Sequence, residues 1–409
     1  MQGFFIRFLV VFFSASTPFL RAQDKQAQVP PFLQKSYFEV NVGAIHYPFG
    51  QANLEPTYLL QSAVEIPAAA VRLVLFGYEF NKILSAQITY MRPVIWVHYG
   101  QIGQSKNGQL TSDIPTSYKM VRMNVGGLTL KSTLPISNRF SLYGEAGLGT
   151  ITRKGFADKL ENQVVADANY ATFLFGAGLK YHINSKWALQ VGANYSPENK
   201  RYKQPATTFV GSGFVYNFRP FTVKRLQDGI NYGYKHPKQW MQVAYTSNTL
   251  GYAVNNAVSD KIPLFWGGEA EVRQGISVSY FRNVFHGPKV FALDWGVNAS
   301  VWQTNVNREN FFTLSVFPVF RLNYWHAHAF DAYFYYSVAG PSYISKTELD
   351  NNKMGSHFTF QDNMGTGIFW GAKRNLNTEI RIGHYSNGNT SVENEAVKVP
   401  LTLGLGYVF

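Results

Sequence analysis

The sequence predicts an all-β protein whose antiparallel strands close into barrels, and three observations support this. Stretch after stretch alternates apolar with polar or small residues, the period of a strand that has two unlike faces. Beyond the N-terminus no run reaches the roughly 20 apolar residues that a membrane-spanning helix needs, although 16% of the 409 residues are aromatic and only 15% are charged. Tight connections, as at residues 184–186, alternate with long polar ones at residues 100–117 and 153–169. That alternation is the habit of barrels crossing an outer membrane.

Taken in order, the first half gives eight strand signals, at residues 37–47, 70–78, 86–99, 119–130, 140–150, 172–182, 187–196 and 209–218. Each is near the roughly ten residues that a tilted transmembrane strand requires. Residues 219–239 (RPFTVKRLQDGINYGYKHPKQ) interrupt the alternation with basic residues, Gly and Pro, and read as a linker. A second series follows at residues 240–246, 264–271, 276–285, 290–302, 311–324, 330–339, 357–372, 378–386 and 397–409, one of which is expected to be a loop or a continuation of the linker. The expected division is therefore a barrel over 35–218, the linker, and a barrel over 240–409. Two tandem eight-stranded barrels are preferred to one of about sixteen strands, because eight strands enclose a lumen that side chains can fill. Pairing of residues 37–47 with residues 397–409 would signal the single wide barrel.

Residues 1–23 (MQGFFIRFLVVFFSASTPFLRAQ) carry the basic Arg7, an apolar run and small residues before Ala22. This is the layout of a cleaved signal peptide. The chain has no Cys, which excludes disulfides and a lipid-modified anchor. Its formal charge of +13 falls to about +11 without Arg7 and Arg21. In an exported chain of this patterning, that balance suits the phosphates of an anionic glycolipid leaflet rather than nucleic acid.

The halves read as an internal duplication. Phe175-Gly176-Ala177-Gly178-Leu179 answers Met364-Gly365-Thr366-Gly367-Ile368, and Asn194-Tyr195-Ser196-Pro197-Glu198-Asn199 answers His384-Tyr385-Ser386-Asn387-Gly388-Asn389. The offset grows by one residue between the two matches. In the first half Trp187, Leu189, Val191 and Tyr195 share the apolar face, so Ser196 is expected to turn inward.

Near the C-terminus, Ile380, Ile382, His384 and Ser386 share one strand face, with Glu379, Arg381, Gly383 and Tyr385 on the other. The returning strand reads as one apolar face of Val397, Val399, Leu401, Leu403, Leu405, Tyr407 and Phe409. An imidazole and a hydroxyl two residues apart in a strand have Cα atoms roughly 6.5 to 7 Å apart. Suitable rotamers then allow a hydrogen bond, the minimum arrangement for an activated oxygen nucleophile. The bland reading is a His and a Ser solvated at a membrane interface, since H-x-S recurs by chance.

The surrounding residues weigh against chance. His384-Tyr385-Ser386-Asn387 followed by Asn394, together with TLSVFPVF at 313–320 and FTFQD at 358–362, resembles the lipid A 3-O-deacylase family of outer-membrane barrels. The resemblance covers roughly residues 295–409 and leaves the first half a generic barrel. It implies hydrolysis of an ester-linked acyl chain of lipopolysaccharide, with Ser386 as nucleophile and His384 as general base. Asn394, Asn387 and the loop N–H groups at Gly388 and Asn389 would hold the oxyanion. Ile380, Ile382, Leu401 and Leu403 would meet the acyl chain, and Arg381 or Lys398 would approach phosphates. The family's last-strand Glu, which orients its His, falls here at Lys398, or at Val399 if one residue is gapped. Glu393 or Glu395 is the expected substitute. No cofactor and no metal is expected, although His326 and His328 share a face. The alternative is a non-catalytic barrel, structural, solute-conducting or lipid-binding, in which loss of that Glu reflects lost chemistry.

Overall fold

The computed structural model describes residues 28–409 apart from 107–108, 114–118, 262–266, 389 and 392. The expected signal peptide and Asn389 therefore lie outside the described residues. The first barrel consists of β1 (Ser36–His46), β2 (Ala69–Glu79), β3 (Leu84–Pro93), β4 (Met120–Pro135), β5 (Phe140–Lys154), β6 (Ala168–His182), β7 (Trp187–Ser196) and β8 (Thr207–Asn217). Neighbours pair antiparallel throughout, and β8 returns to β1 with Asn217 opposite Tyr37. The second comprises β9 (Gln239–Ser247), β10 (Ala270–His286), β11 (Phe291–Thr304), β12 (Asn310–His326), β13 (Phe330–Ile344), β14 (Phe358–Trp370), β15 (Leu376–Ser386) and β16 (Val397–Val408). It closes where Trp240 of β9 meets Val408 of β16. Since β1 pairs with β8 and β16 with β9, the chain forms two closed barrels of eight strands and not one wide barrel.

Of the nine strand signals in the second half, residues 264–271 lie partly outside the described residues, and residues 267–269 are not strand. Ala270 and Glu271 instead open β10, where they pair in parallel with Val397 and Lys398. The segment between the barrels carries a short helix, α1 (Val223–Asn231). The barrels meet at both ends. Val29, Leu33 and Phe285 cluster with Phe218, Phe221 and Phe291 beside the connection, and at the long-loop end Asn169 Nδ2 donates to the Thr390 carbonyl at 3.0 Å.

Alternation places unlike chemistry on the two faces of every strand. In the second lumen Glu379 accepts from Tyr333 and Tyr335 at 2.8 and 3.0 Å and pairs with Arg381, while Arg321 is paired with Asp294 at 2.8 Å. On the outside Val278, Val297, Leu314, Leu322, Leu403 and Leu405 are exposed. An apolar belt this extensive is stable only where it meets hydrocarbon. Ser196 is buried against Thr172 at 3.1 Å, and the Trp187, Leu189, Val191 and Tyr195 face is exposed.

Removing one member of a lumen ion pair leaves a charge in low dielectric. Asp294→Ala is expected to lower stability by about 3–5 kcal/mol through the stranded Arg321. Urea unfolding of the detergent-solubilised protein measures this, with Lys200→Ala, whose ion pair with Glu198 is open to solvent, expected to unfold like the parent.

Candidate active site

β14 and β15 are adjacent, and their register sets Asp362 directly opposite His384. Both point outward. Gln361 and Asn363, flanking Asp362, are buried in the lumen, as is Tyr385 beside His384, whose hydroxyl meets Thr313 Oγ1 at 3.0 Å. Asp362 Oδ2 lies 3.3 Å from His384 Nδ1, and the imidazole is only 3% exposed. The carboxylate is held from its other side: the Ala339 N–H donates to Asp362 Oδ1 at 2.6 Å. This contact exists because β13 carries one extra residue between Ser337, opposite Asn363, and Gly340, opposite Gln361. Ala339 takes φ +53° there, and such a bulge re-aims a backbone group out of the ladder.

A second bulge lies on the other side of β15. Arg381 faces Thr402 but Gly383 faces Val399, so β16 has one residue more around Pro400. Its physical consequence corrects the single apolar face expected of this strand. Val397 and Val399 point inward and are buried, while Leu403 and Leu405 point outward. Lys398 therefore stands on the outer wall opposite His384. It is paired with Glu271 at 3.1 Å and reaches Asn256 Oδ1 at 3.3 Å, with its ammonium 5.1 Å from the Tyr252 ring centre. Burial, then Glu271 and Asp350, pushes the Tyr252 phenol up, so it stays a donor, to the Val272 carbonyl.

Ser386 closes β15 at the long-loop end and is partly exposed. The Asn387 N–H donates to Asn394 Oδ1 at 2.9 Å, which orients that amide so that Nδ2 donates to Ser386 Oγ at 2.9 Å. Asn394 Oδ1 is also 3.1 Å from the hydroxyl and within reach of its proton. The Gly388 N–H donates to Ser386 Oγ at 3.2 Å. Gly388 is required here: its φ is +63°, and a Cβ would sit 3.3 Å from the Phe360 ring. Two N–H donors thus converge on the Ser386 hydroxyl oxygen and stand beside the place where a carbonyl attacked by it would lie.

Other expected site residues stand elsewhere. Glu393 and Glu395 do not supply the carboxylate beside His384. Glu393 pairs with Lys353 Nζ at 3.4 Å and Glu395 accepts from the Lys353 backbone N–H at 2.5 Å, because this loop crosses back over residues 353–354. The Asn387 side chain is spent on the loop, donating to the Met354 carbonyl and to Ser391 Oγ at 2.8 and 2.7 Å. Arg381 lies inside the barrel, bonded to Glu379 and to Ser277 Oγ, and so has no route to a phosphate outside. Ile380 and Leu403 are 41% and 46% exposed and Leu401 is half-buried, but Ile382 is covered, at 2%. Asp362 was missed, yet a signal for it existed. It is the lone acid on the outward set Phe358, Phe360, Asp362, Met364. Among the described residues no cluster of three or more potential metal ligands occurs.

Sixteen strands in two lipid-belted barrels define an integral outer-membrane protein, and the chain belongs to the outer membrane protein beta-barrel domain family, whose model matches residues 14–218. The second barrel is matched over residues 272–399 by the lipid A 3-O-deacylase (PagL) family, a stretch that includes Asp362, His384, Ser386 and Asn394. Among solved structures, the outer membrane enzyme PagL is similar at 14% identity, covering 42% of this chain and 99% of that one with a TM-score of 0.30. The N-terminal barrel domain of Pseudomonas aeruginosa OprF is similar at 14% identity, covering 45% and 98%, with a TM-score of 0.28. Ail of Yersinia pestis, in complex with sucrose octasulfate, gives 14%, 44% and 99%, and 0.27. A comparison with curated proteins finds no match.

Gly388→Ala is expected to destabilise the 387–395 loop by about 1 kcal/mol, through strain at positive φ and the contact with Phe360. Limited proteolysis should then cut this loop faster than in the parent, with the barrel remaining intact.

Proposed function

We propose that the second barrel is an outer-membrane esterase that hydrolyses an ester-linked acyl chain of lipid A. The observation that carries this reading is the carboxylate of Asp362 beside His384 Nδ1, on the outer wall and next to Ser386. With Nδ1–H donated to Asp362, His384 keeps Nε2 free of hydrogen and able to take a proton. Ser386 Oγ attacks the acyl carbonyl as its proton passes to Nε2. The resulting oxyanion is stabilised by Asn394 Nδ2 and the Gly388 N–H, which already face the nucleophile. Collapse breaks the ester bond, and the imidazolium returns the proton to the departing sugar hydroxyl. Water, deprotonated by the same imidazole, then releases the fatty acid and restores the Ser386 hydroxyl.

The position of the site agrees with this substrate. Ser386 lies at the long-loop end of the barrel, the outer face of such proteins, and Ile380, Leu401 and Leu403 extend below it. An acyl chain already in the leaflet needs no enclosing pocket; it has only to lie against that wall. In this chain Asp362, on the strand before β15, takes the orienting part that the family gives to a Glu on its last strand. Lys398, standing where that Glu would fall, favours the competing reading of a lipid-binding barrel without activity.

Mass spectrometry of lipid A from cells with and without the protein separates the two. Expression is expected to remove one acyl chain, and Ser386→Ala and His384→Ala to abolish this. Asp362→Asn is expected to lower kcat about 10³- to 10⁴-fold, the loss that follows when an orienting carboxylate is neutralised, whereas Glu393→Gln and Glu395→Gln retain activity. Unchanged acylation with folded parent protein supports the inert reading, and full activity in Asp362→Asn removes its assigned role.

A further inference from the structure

Among the described residues, the lumen of the first barrel holds the paired acids Glu39 and Glu145 and, besides Arg153 toward its long-loop end, the three cations Arg72, Lys131 and Lys180. Glu39 is paired with Lys131 at 2.7 Å and also accepts from Gln190. Glu145 is paired with Arg72 at 2.5 Å and receives donors from Gln87 and Asn194. Each acid thereby has its own base. Lys180, on β6, is the third cation and is 8% exposed. Among the described residues no carboxylate lies within ion-pairing distance of its ammonium, which instead stands 5.6 Å from the centre of the Tyr37 ring. A buried charge without a directly contacting counter-charge is unfavourable unless a partner or water is supplied.

The surroundings of Lys180 can supply one. It borders an open cavity of about 390 Å³, whose wall also includes Lys82, Asn138, Ser141, His182 and Asn217. Ser141 Oγ and His182 Nε2 are 3.0 Å apart, so one hydroxyl is already oriented there. The acid on the wall, Glu79, is held by both oxygens to Arg219, at 2.9 and 2.7 Å, and it and Glu39 act on the lysine from beyond ion-pairing distance. The cavity opens among the tight turns at residues 80–83, 136–139 and 183–186, at the end where the chain passes to the second barrel. Short turns mark the periplasmic end of such barrels.

We propose that this cavity is a binding site for a compact oxyanion, a phosphate or carboxylate presented from the periplasm, with Lys180 as its counter-charge and Ser141 and Asn138 as hydrogen-bond donors. The site lies in the opposite barrel and at the opposite face of the membrane from Ser386, so it does not depend on the esterase reading.

Full-length protein in zwitterionic detergent, titrated with inorganic phosphate and followed by calorimetry and ³¹P line broadening, tests this. Saturable binding of one phosphate per chain is expected. Lys180→Met, which removes an unpaired charge, should fold and bind at least roughly tenfold more weakly, while Lys200→Ala, in a loop at the far end, should bind like the parent. Lys82→Ala gives a second readout without entering the lumen, with binding weakened about threefold. Displacement of phosphate by acetate identifies a general oxyanion site and its absence a phosphate-selective one. Undiminished binding in Lys180→Met, or no saturable binding of either anion to folded parent protein, overturns the proposal.

Discussion

Inside a bilayer each backbone N–H and C=O must find its partner within the protein, and the closed ladder of an eight-stranded barrel provides one for nearly all of them. Everything else in this molecule follows from that closure. Once the ladder is complete, only side chains distinguish lumen from lipid, and alternation assigns them. Charge goes inward, into networks such as Glu379 with Arg381 and Asp294 with Arg321. Apolar residues go outward. An imidazole and a carboxylate on the outward face break this rule, and they stay there because each has a partner: Asp362 receives the Ala339 N–H and faces His384.

Two of the ladder's departures from regularity flank that pair. One extra residue in β13 frees the Ala339 N–H to reach Asp362. One extra residue in β16 returns Val397 and Val399 to the lumen and brings Lys398 out beside His384. A regular barrel of the same sequence would bury Lys398 and expose two valines next to the site. The bulges therefore set which side chains surround the imidazole, while the strands that carry Asp362 and His384 remain in unbroken register with one another. Paired strands hold Asp362 and His384 in register, and Asn394 and Gly388 are carried by the connection that follows β15.

Much of this was legible in the chain before folding. Period-two patterning located all sixteen strands, since one face of each meets lipid and the other a polar lumen, and the outward direction of His384 and inward direction of Ser196 followed from the same period. What could not be read was pairing. A bulge leaves no mark in a strand's own sequence, so the face of β16 was misassigned at Val397 and Val399. The carboxylate was sought in the loop, at Glu393 and Glu395, because chain proximity is visible and cross-strand proximity is not; Asp362 is 22 positions away in sequence and opposite in register. Residues 264–271 read as a strand of their own, whereas in their described part only Ala270 and Glu271 are strand, as the start of β10, a boundary that composition does not mark.

The central claim is that a lipid-facing wall bears a nucleophile activated through Asp362 and His384. The most direct measurement is covalent capture by a long-chain alkyl fluorophosphonate added to vesicles containing the protein, followed by peptide mass mapping. The account predicts a single adduct on Ser386 that forms rapidly in the parent and far more slowly once Asp362 is replaced by Asn. Folded parent protein that leaves Ser386 unmodified, or a rate of capture indifferent to Asp362, would contradict it.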